Sequence, residues 1–311
     1  HEKEDYIIYA AILMLGYIGN YICNFVYSKK FIDYSIKQKW KLKRHLKAVL
    51  ILFASILAIN IYTNVDTLML GFIKGDRAVG LYDVACKGKL VLLSLINAIS
   101  TVLFPRLSYY LAEKDIVSYN KVLKKSISVI MGIAIPLSIF FVIEAKDVVI
   151  FLGGNAYEDA TLCLQILMPI LIISGFSNIT GNQILLPHGK DISYMRAVMT
   201  GAIVDIILNL FFMPRYSLYG AAFATLMAEI VHMLLQLWQA RVYLKDNVDF
   251  VELLKIIFAC IISTIVIYNL KCTTKFSLII GLGIYFIIYM IIYLFMLIVF
   301  KCKCLKTRHS D

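Results

Sequence analysis

Charge is scarce in this chain. Of its 311 residues only 16% are Asp, Glu, Lys or Arg, while 61% are hydrophobic and the mean hydropathy is +0.81. Soluble domains run nearer about 25% charged and about 45–50% apolar, so a water-soluble globular fold is excluded. The short motifs of soluble catalysis are also missing. There is no glycine-rich phosphate loop, no paired-histidine metal motif, and no loop long enough to fold into an external catalytic domain. No catalytic residue, metal site or cofactor is therefore expected. The seven cysteines lack metal-ligand spacing except at Cys302 and Cys304, a pair in a basic tail that a metal or a lipid could use. The other cysteines read as small apolar packing residues. No cleavable signal peptide is present, and the first residue is His1 rather than Met, so a fragment or a processed product is expected.

What the chain does have is long apolar runs. A run of about 20 such residues crosses the hydrocarbon core as a helix, because helical hydrogen bonds satisfy the backbone where water is absent. Nine candidate spans follow: Tyr6–Tyr27, Ala48–Gly71, Leu81–Leu103, Ile127–Ile143, Leu162–Leu186, Ala197–Met213, Gly220–Tyr243, Val251–Leu270 and Phe276–Phe300. The stretch Asp147–Glu158 reads as a short interfacial element. The expected fold is all-α, a polytopic transmembrane bundle.

A net charge of +11 raises the question of nucleic acid. The basic residues lie between the apolar runs instead, where the positive-inside rule puts them. Every second loop is basic, from Lys29–Lys47 through Arg106–Lys125, Lys190–Arg196 and Arg241–Lys255 to the tail after Phe300. The alternate loops are poor in Lys and Arg. The C-terminus is thus expected in the cytoplasm and the N-terminus of this chain outside. Phe31–His45 reads either as an amphipathic helix on the cytoplasmic leaflet or as a solvated basic linker, and either would favour anionic lipid.

A charge at the centre of a span costs about 2.5–3.5 kcal/mol on insertion scales, so polar residues there should face a partner or a water-filled cavity. Span two carries Asn60, Asn64, Asp66 and Thr67. Span three carries Asp83, Lys87, Ser94, Asn97 and Thr101, with Asp83 and Lys87 an i,i+4 pair of opposite charge. Span five repeats Ser174, Asn178, Asn182; span six has Asp205 and Asn209; span seven has Glu229, His232 and Gln236. One stripe alone would be interhelical glue. Five of them, with spans four, eight and nine nearly free of polar residues, argue for a shared aqueous cavity. Amides and hydroxyls suit sugar hydroxyls. Lys87 and Lys89 suit a phosphate, or else snorkel to the interface. Asp66, Asp205 and Glu229 are candidates for ion coupling. His232 is either a proton relay or a satisfied bundle histidine. Pro105, Pro136 and Gly181 are candidate helix breaks, a helix end or a simple kink being the better reading for Pro105 and Gly181.

Four segments in order carry a resemblance: NVDTLMLGFIKGDRAVGLYDVACK (Asn64–Lys87), FPRLS (Phe104–Ser108), QILLPHGK (Gln183–Lys190) and LYGAAFATLMAE (Leu218–Glu229). They resemble bacterial polysaccharide-repeat-unit flippases, the Wzx-type O-antigen and capsule transporters of the multidrug/oligosaccharidyl-lipid/polysaccharide superfamily. The resemblance covers about Leu46 to Tyr243. It implies a two-lobe transporter of which residues 1–45 hold the last helix of the first lobe and a basic linker. Residues 46–243 are then the second six-helix lobe, 244–300 two extra helices, and 301–311 a basic cytoplasmic tail. The first five helices of that family pattern are absent from this chain, as in an N-terminally truncated product. The implied activity is alternating-access translocation of undecaprenyl-diphosphate-linked oligosaccharide across the bacterial cytoplasmic membrane. Its implied partners are the lipid-linked oligosaccharide, membrane lipids, a polysaccharide polymerase and a chain-length regulator. The implied cavity is lined by Asn60, Asn64, Asp66, Asp83, Lys87, Lys89, Asn97, Asn178, Asn182, Asp205, Asn209 and Glu229. Competing readings are a multidrug or lipid-II-type exporter of the same superfamily, a membrane-embedded polymerase or acyltransferase, and an inactive subunit.

Overall fold

The computed structural model describes residues 5–30, 64–244, 247–274 and 276–302. The chain divides into two compact units, His1–Ile59 and Asn60–Asp311. In the first, α1 (Asp5–Ser28) is a 24-residue helix matching the first expected span. The amphipathic reading of Phe31–His45 falls outside the described residues, as does most of the second expected span.

The second unit begins with α2 (residues 64–74) and continues through α3 (Asp76–Ala112), α4 (Ile116–Ile143) and α5 (Ala145–Gly153). A 3₁₀ turn, Asn155–Ala160, leads to α6 (Thr161–Leu167), α7 (Ile170–Ser177) and a π-helical stretch, Asn178–Leu185. Then come α8 (Asp191–Leu244), α9 (Phe250–Thr273) and α10 (Leu278–Val299). No strand occurs among the described residues. Among the described residues six helical stretches are long and apolar enough to cross a membrane: Asp76–Ala112, Ile116–Ile143, Asn155–Leu185, Asp191–Leu244, Phe250–Thr273 and Leu278–Val299. At 54 residues α8 would be roughly 80 Å long if straight, far more than one bilayer needs. It breaks at Ser217, whose φ of 53° and ψ of −132° are not helical. It therefore supplies two crossings, the expected spans six and seven. The short α5 and the 3₁₀ turn occupy the segment expected to be interfacial.

The lipid-facing surface confirms the solvent. Ile279, Ile280, Ile287, Ile291 and Ile298 on α10 are all at least 58% exposed. A soluble protein does not leave so continuous an apolar face in water. The protein is a multi-pass membrane protein.

At the centre of the second unit stands α4. Leu123, Ile130, Met131 and Ala134 are fully buried there. Three buried serines of this helix, Ser126, Ser128 and Ser138, donate to Gln183 Oε1, Glu252 Oε1 (3.0 Å) and the Met168 carbonyl (3.0 Å). Span four, expected to be nearly free of polar residues, holds Ser128 and Ser138, with Ser126 directly before it. These hydroxyls serve three different neighbours and so form no stripe. On another side α9 and α10 pair with each other and dock against α4. Tyr285, Tyr289 and Tyr293 repeat every fourth residue of α10 and are buried. Tyr293 donates to the Gly132 carbonyl at 2.7 Å, while Phe140 meets Phe286 and Tyr289 with ring centroids 5.2 Å apart. At one end of this contact Lys271 Nζ donates to Glu144 Oε2 (2.7 Å) and Asp147 Oδ2 (2.8 Å).

Of the three candidate helix breaks, the two prolines do not interrupt their helices. Pro105 lies inside a continuous α3 and Pro136 inside a continuous α4. Neighbouring helices and carbonyl-directed hydroxyls absorb the freed backbone groups in such settings. Gly181 does mark an irregularity, the π-helical stretch. An added Cβ there would lie 2.7 Å from Tyr194 Cε2 and 3.0 Å from Gln236 Nε2, so only glycine lets the two segments approach this closely.

Candidate functional site

The polar residues gather into distinct groups. In the first, three donors converge on the Asp66 carboxylate of α2. Asn209 Nδ2 donates to Oδ1 at 2.6 Å; Thr225 Oγ1 (2.8 Å) and the Tyr82 hydroxyl (3.0 Å) donate to Oδ2. Tyr82 and Thr225 also lie 3.1 Å from each other, and Thr225 reaches the Ala221 carbonyl at 3.0 Å. Asp205, one turn before Asn209 on α8, turns its carboxyl towards that of Asp66. Asp205 is 6% exposed and Asn209 fully buried, and Asp205 Oδ1 and Asn209 Oδ1 have no hydrogen-bond partner among the described residues. Two carboxyls, two hydroxyls and the amide nitrogen of Asn209 thus meet in the interior of the bundle.

Helical spacing explains the α8 side. Asp205 and Asn209 are i,i+4 on its first half, and Thr225 comes from its second half, folded back at Ser217. Tyr82 and Thr225 did not stand out in the sequence. Tyr82 is an aromatic residue on a mostly apolar helix, and Thr225 is a single hydroxyl in an alanine-rich run. Both sit in the segments that carried the family resemblance, which is the one signal that could have found them.

The second group is a rail of carboxamides. Asn182 Nδ2 donates to Asn178 Oδ1 at 2.8 Å, and Asn178 Nδ2 donates to Asn97 Oδ1 at 2.7 Å. Asn97 is exposed, whereas Asn178 and Asn182 are half-buried. Behind the rail, Gln183 is fully buried; its Nε2 donates to Ser100 Oγ at 3.0 Å and its carbonyl accepts from the Tyr119 hydroxyl at 3.0 Å. Asn178 and Asn182, four apart, lie half-buried while the next residue, Gln183, is turned into the protein.

A third group follows the second half of α8. Glu229 Oε2 lies 3.7 Å from His232 Nδ1, His232 Nε2 is 2.8 Å from Gln236 Nε2, and Thr180 Oγ1 donates to Gln236 Oε1 at 2.9 Å. These side chains share one face, and both ring nitrogens of His232 meet a polar atom.

The remaining expected residues stand apart. Asp83 and Lys87 form their i,i+4 ion pair at 2.7 Å, each about half exposed. Lys89 is half-buried and near enough to Asp205 for their charges to interact. Asn64 is exposed at the start of α2. Asn60 lies outside the described residues. Among the described residues no group of three or more His, Cys, Asp and Glu side chains could hold a metal ion.

Known proteins agree with this architecture. Residues 8–162 match the family described as polysaccharide biosynthesis protein. A protein of Escherichia coli (strain K12) named as an O-antigen transporter is 26% identical over 177 residues, covering 57% of this chain and 42% of that protein. One of Shigella dysenteriae with the same name is 26% identical over 216 residues, covering 67% of this chain and 49% of that protein. The chain thus spans about half the length of the curated relatives it matches. The structure of the lipid II flippase MurJ in its inward closed conformation is similar with a TM-score of 0.71. That likeness covers 86% of this chain and 57% of that one at 18% identity, and it is a likeness of fold. By sequence match and relatives this chain is similar to the polysaccharide biosynthesis family over its first half, and it shares the fold of a membrane flippase.

Proposed function

We propose that this chain supplies the second lobe of a flippase that moves undecaprenyl-diphosphate-linked oligosaccharide repeat units across the bacterial cytoplasmic membrane for O-antigen or capsule biosynthesis. The carrying observation is the rail Asn97–Asn178–Asn182. A carboxamide on an exposed face of a membrane helix is costly against lipid. It is well suited to a cargo dense in hydroxyl groups, to which it both donates and accepts. The relatives' names support the same cargo class. The mechanism is alternating access with no covalent chemistry, so the protein is a transporter rather than an enzyme. The loop charges support a cytoplasmic C-terminus, and the polymerase and chain-length regulator are the natural downstream partners.

The Asp66–Asp205 cluster is the coupling element in this reading. Two carboxylates facing each other in a low-dielectric interior repel unless a proton or a cation is shared between them. Binding and release of that positive charge would alternate the packing of α2 against both halves of α8.

The test is complementation of a strain lacking its own repeat-unit flippase, with surface polysaccharide as the readout. The chain is expressed alone and extended through the upstream reading frame, each with and without Asn97→Leu and Asn182→Leu. Rescue that the leucine substitutions abolish is expected. Failure of every form to rescue, with drug resistance gained instead, would move the assignment to a multidrug exporter.

A further inference from the structure

The break in α8 builds a second feature, away from the polar groups described above. Phe212 and Tyr216 stack at 6.2 Å on the last turn before Ser217. Phe223, on the first turns after it, meets Phe212 edge to face at 5.2 Å. Together with Tyr219 and Gly220 these rings line a cavity of about 250 Å³. The cradle is held in shape. Ser217 carries a positive φ that a non-glycine residue adopts only under constraint. A Cβ on Gly220 would lie 2.5 Å from the Phe212 carbonyl oxygen, so the two halves of α8 touch backbone to backbone. The Tyr219 hydroxyl donates to the Asp159 carbonyl at 2.8 Å, fastening the corner to the neighbouring 3₁₀ turn.

Charge singles out the same corner. At this end of the bundle Arg77 pairs with Asp159 (3.5 Å), Lys146 with Glu158 (2.7 Å), and Lys271 with Glu144 and Asp147. Arg215 lies in the same corner, three residues after Phe212 and directly before Tyr216, on the turn that carries two of the cavity's rings. It is exposed, and among the described residues no carboxylate lies within ion-pair distance of it. The turn it belongs to, residues 214–219, holds no acid. An arginine kept in a loop otherwise poor in positive charge runs against the positive-inside pattern, and a guanidinium matches a phosphate through paired, charge-assisted hydrogen bonds.

We infer that this corner is a binding site for one anionic phospholipid, its phosphate on Arg215 and the start of an acyl chain in the Phe212–Tyr216–Phe223 cradle. Aromatic rings at headgroup level with a basic residue beside them fit the amphipathic boundary of a lipid, apolar below and charged above. The inference is independent of what the protein transports.

The test is native mass spectrometry of the full chain released from detergent with phosphatidylglycerol, phosphatidylcholine or undecaprenyl phosphate added in turn. One phosphatidylglycerol per chain should survive activation that strips phosphatidylcholine. Arg215→Gln should weaken its retention by about tenfold or more, the loss of one charge-assisted contact, while Arg215→Lys keeps part of it. Phe223→Ala should loosen phosphatidylglycerol and leave the thermal midpoint of lipid-free protein within about one degree. Equal retention of phosphatidylglycerol and phosphatidylcholine, or retention indifferent to Arg215→Gln, would show ordinary annular lipid and overturn the site. Retention of undecaprenyl phosphate alone would overturn it in favour of the carrier lipid.

Discussion

Asp66 and Asp205 face each other, yet their replacement should have opposite effects on stability. Asp66 accepts from Asn209, Thr225 and Tyr82, whereas Asp205 Oδ1 has no partner among the described residues. In Asp66→Ala the loss is not three hydrogen bonds. Tyr82 and Thr225 are already 3.1 Å apart and can pair, and Thr225 keeps the Ala221 carbonyl. The Asn209 amide, fully buried, is the group left without an acceptor. One orphaned buried donor costs about 1–3 kcal/mol, a drop of a few degrees in Tm for a domain of this size. Asp205→Asn replaces the facing carboxyl by an uncharged group of the same shape and takes no acceptor from an existing donor, so its Tm should equal or exceed that of the parent. Both are read by thermal unfolding of detergent-purified protein at neutral pH. If Asp205→Asn falls by several degrees while Asp66→Ala does not, the assignment of the held and the facing carboxylate is reversed and the cluster has been misread.

Three further outcomes are expected. Lys271→Met leaves the fully buried Glu144 carboxylate without its cation; because Lys271 is 40% exposed, the loss should be about 1–2 kcal/mol rather than that of a wholly buried pair, and adding Glu144→Gln should recover most of it in the same unfolding assay. Tyr293→Phe deletes the bond to the Gly132 carbonyl and should cost about 0.5–1.5 kcal/mol, with unchanged expression in the membrane; no change in Tm would mean that α10 is held on α4 by packing alone. His188, outside the spans and packed against Tyr119 and Tyr243 with Lys190 near, has its imidazole pushed below the usual 6.5 chiefly by burial. The folded protein thus favours neutral His188, and its contribution is present above pH 6.5 and lost as pH falls through the lower folded value; Tm followed across about pH 5 to 8 should show a slope that His188→Gln flattens.

The spans were legible because a bilayer is a strong filter on composition. Their ends were not. The expected span Ile127–Ile143 is a helix that starts at Ile116, since hydropathy reports where lipid begins and helical hydrogen bonds continue past it into water. The Asp83–Lys87 pair forms as its spacing required, because i,i+4 geometry is local. Tyr82 and Thr225 went unseen for the converse reason. They join Asp66 across 16 and 159 positions of chain, and no periodicity within a helix encodes that meeting. The buried serines of α4 hid in the same way, each answering to a different neighbour.

The π-helical stretch Asn178–Leu185 gives span five a kind of slack. It stores more chain in each turn than an α-helix does, held open by Gly181 against Tyr194 and Gln236. Were it to tighten to α geometry, the excess would have to leave at one end, and each residue passed on would rotate the remaining helix by about 100°. A one-residue shift on that side would turn Asn182 and Gln183 together out of their present orientations. A span with that property can change what it shows to its surroundings by moving one of its ends, without losing its helix.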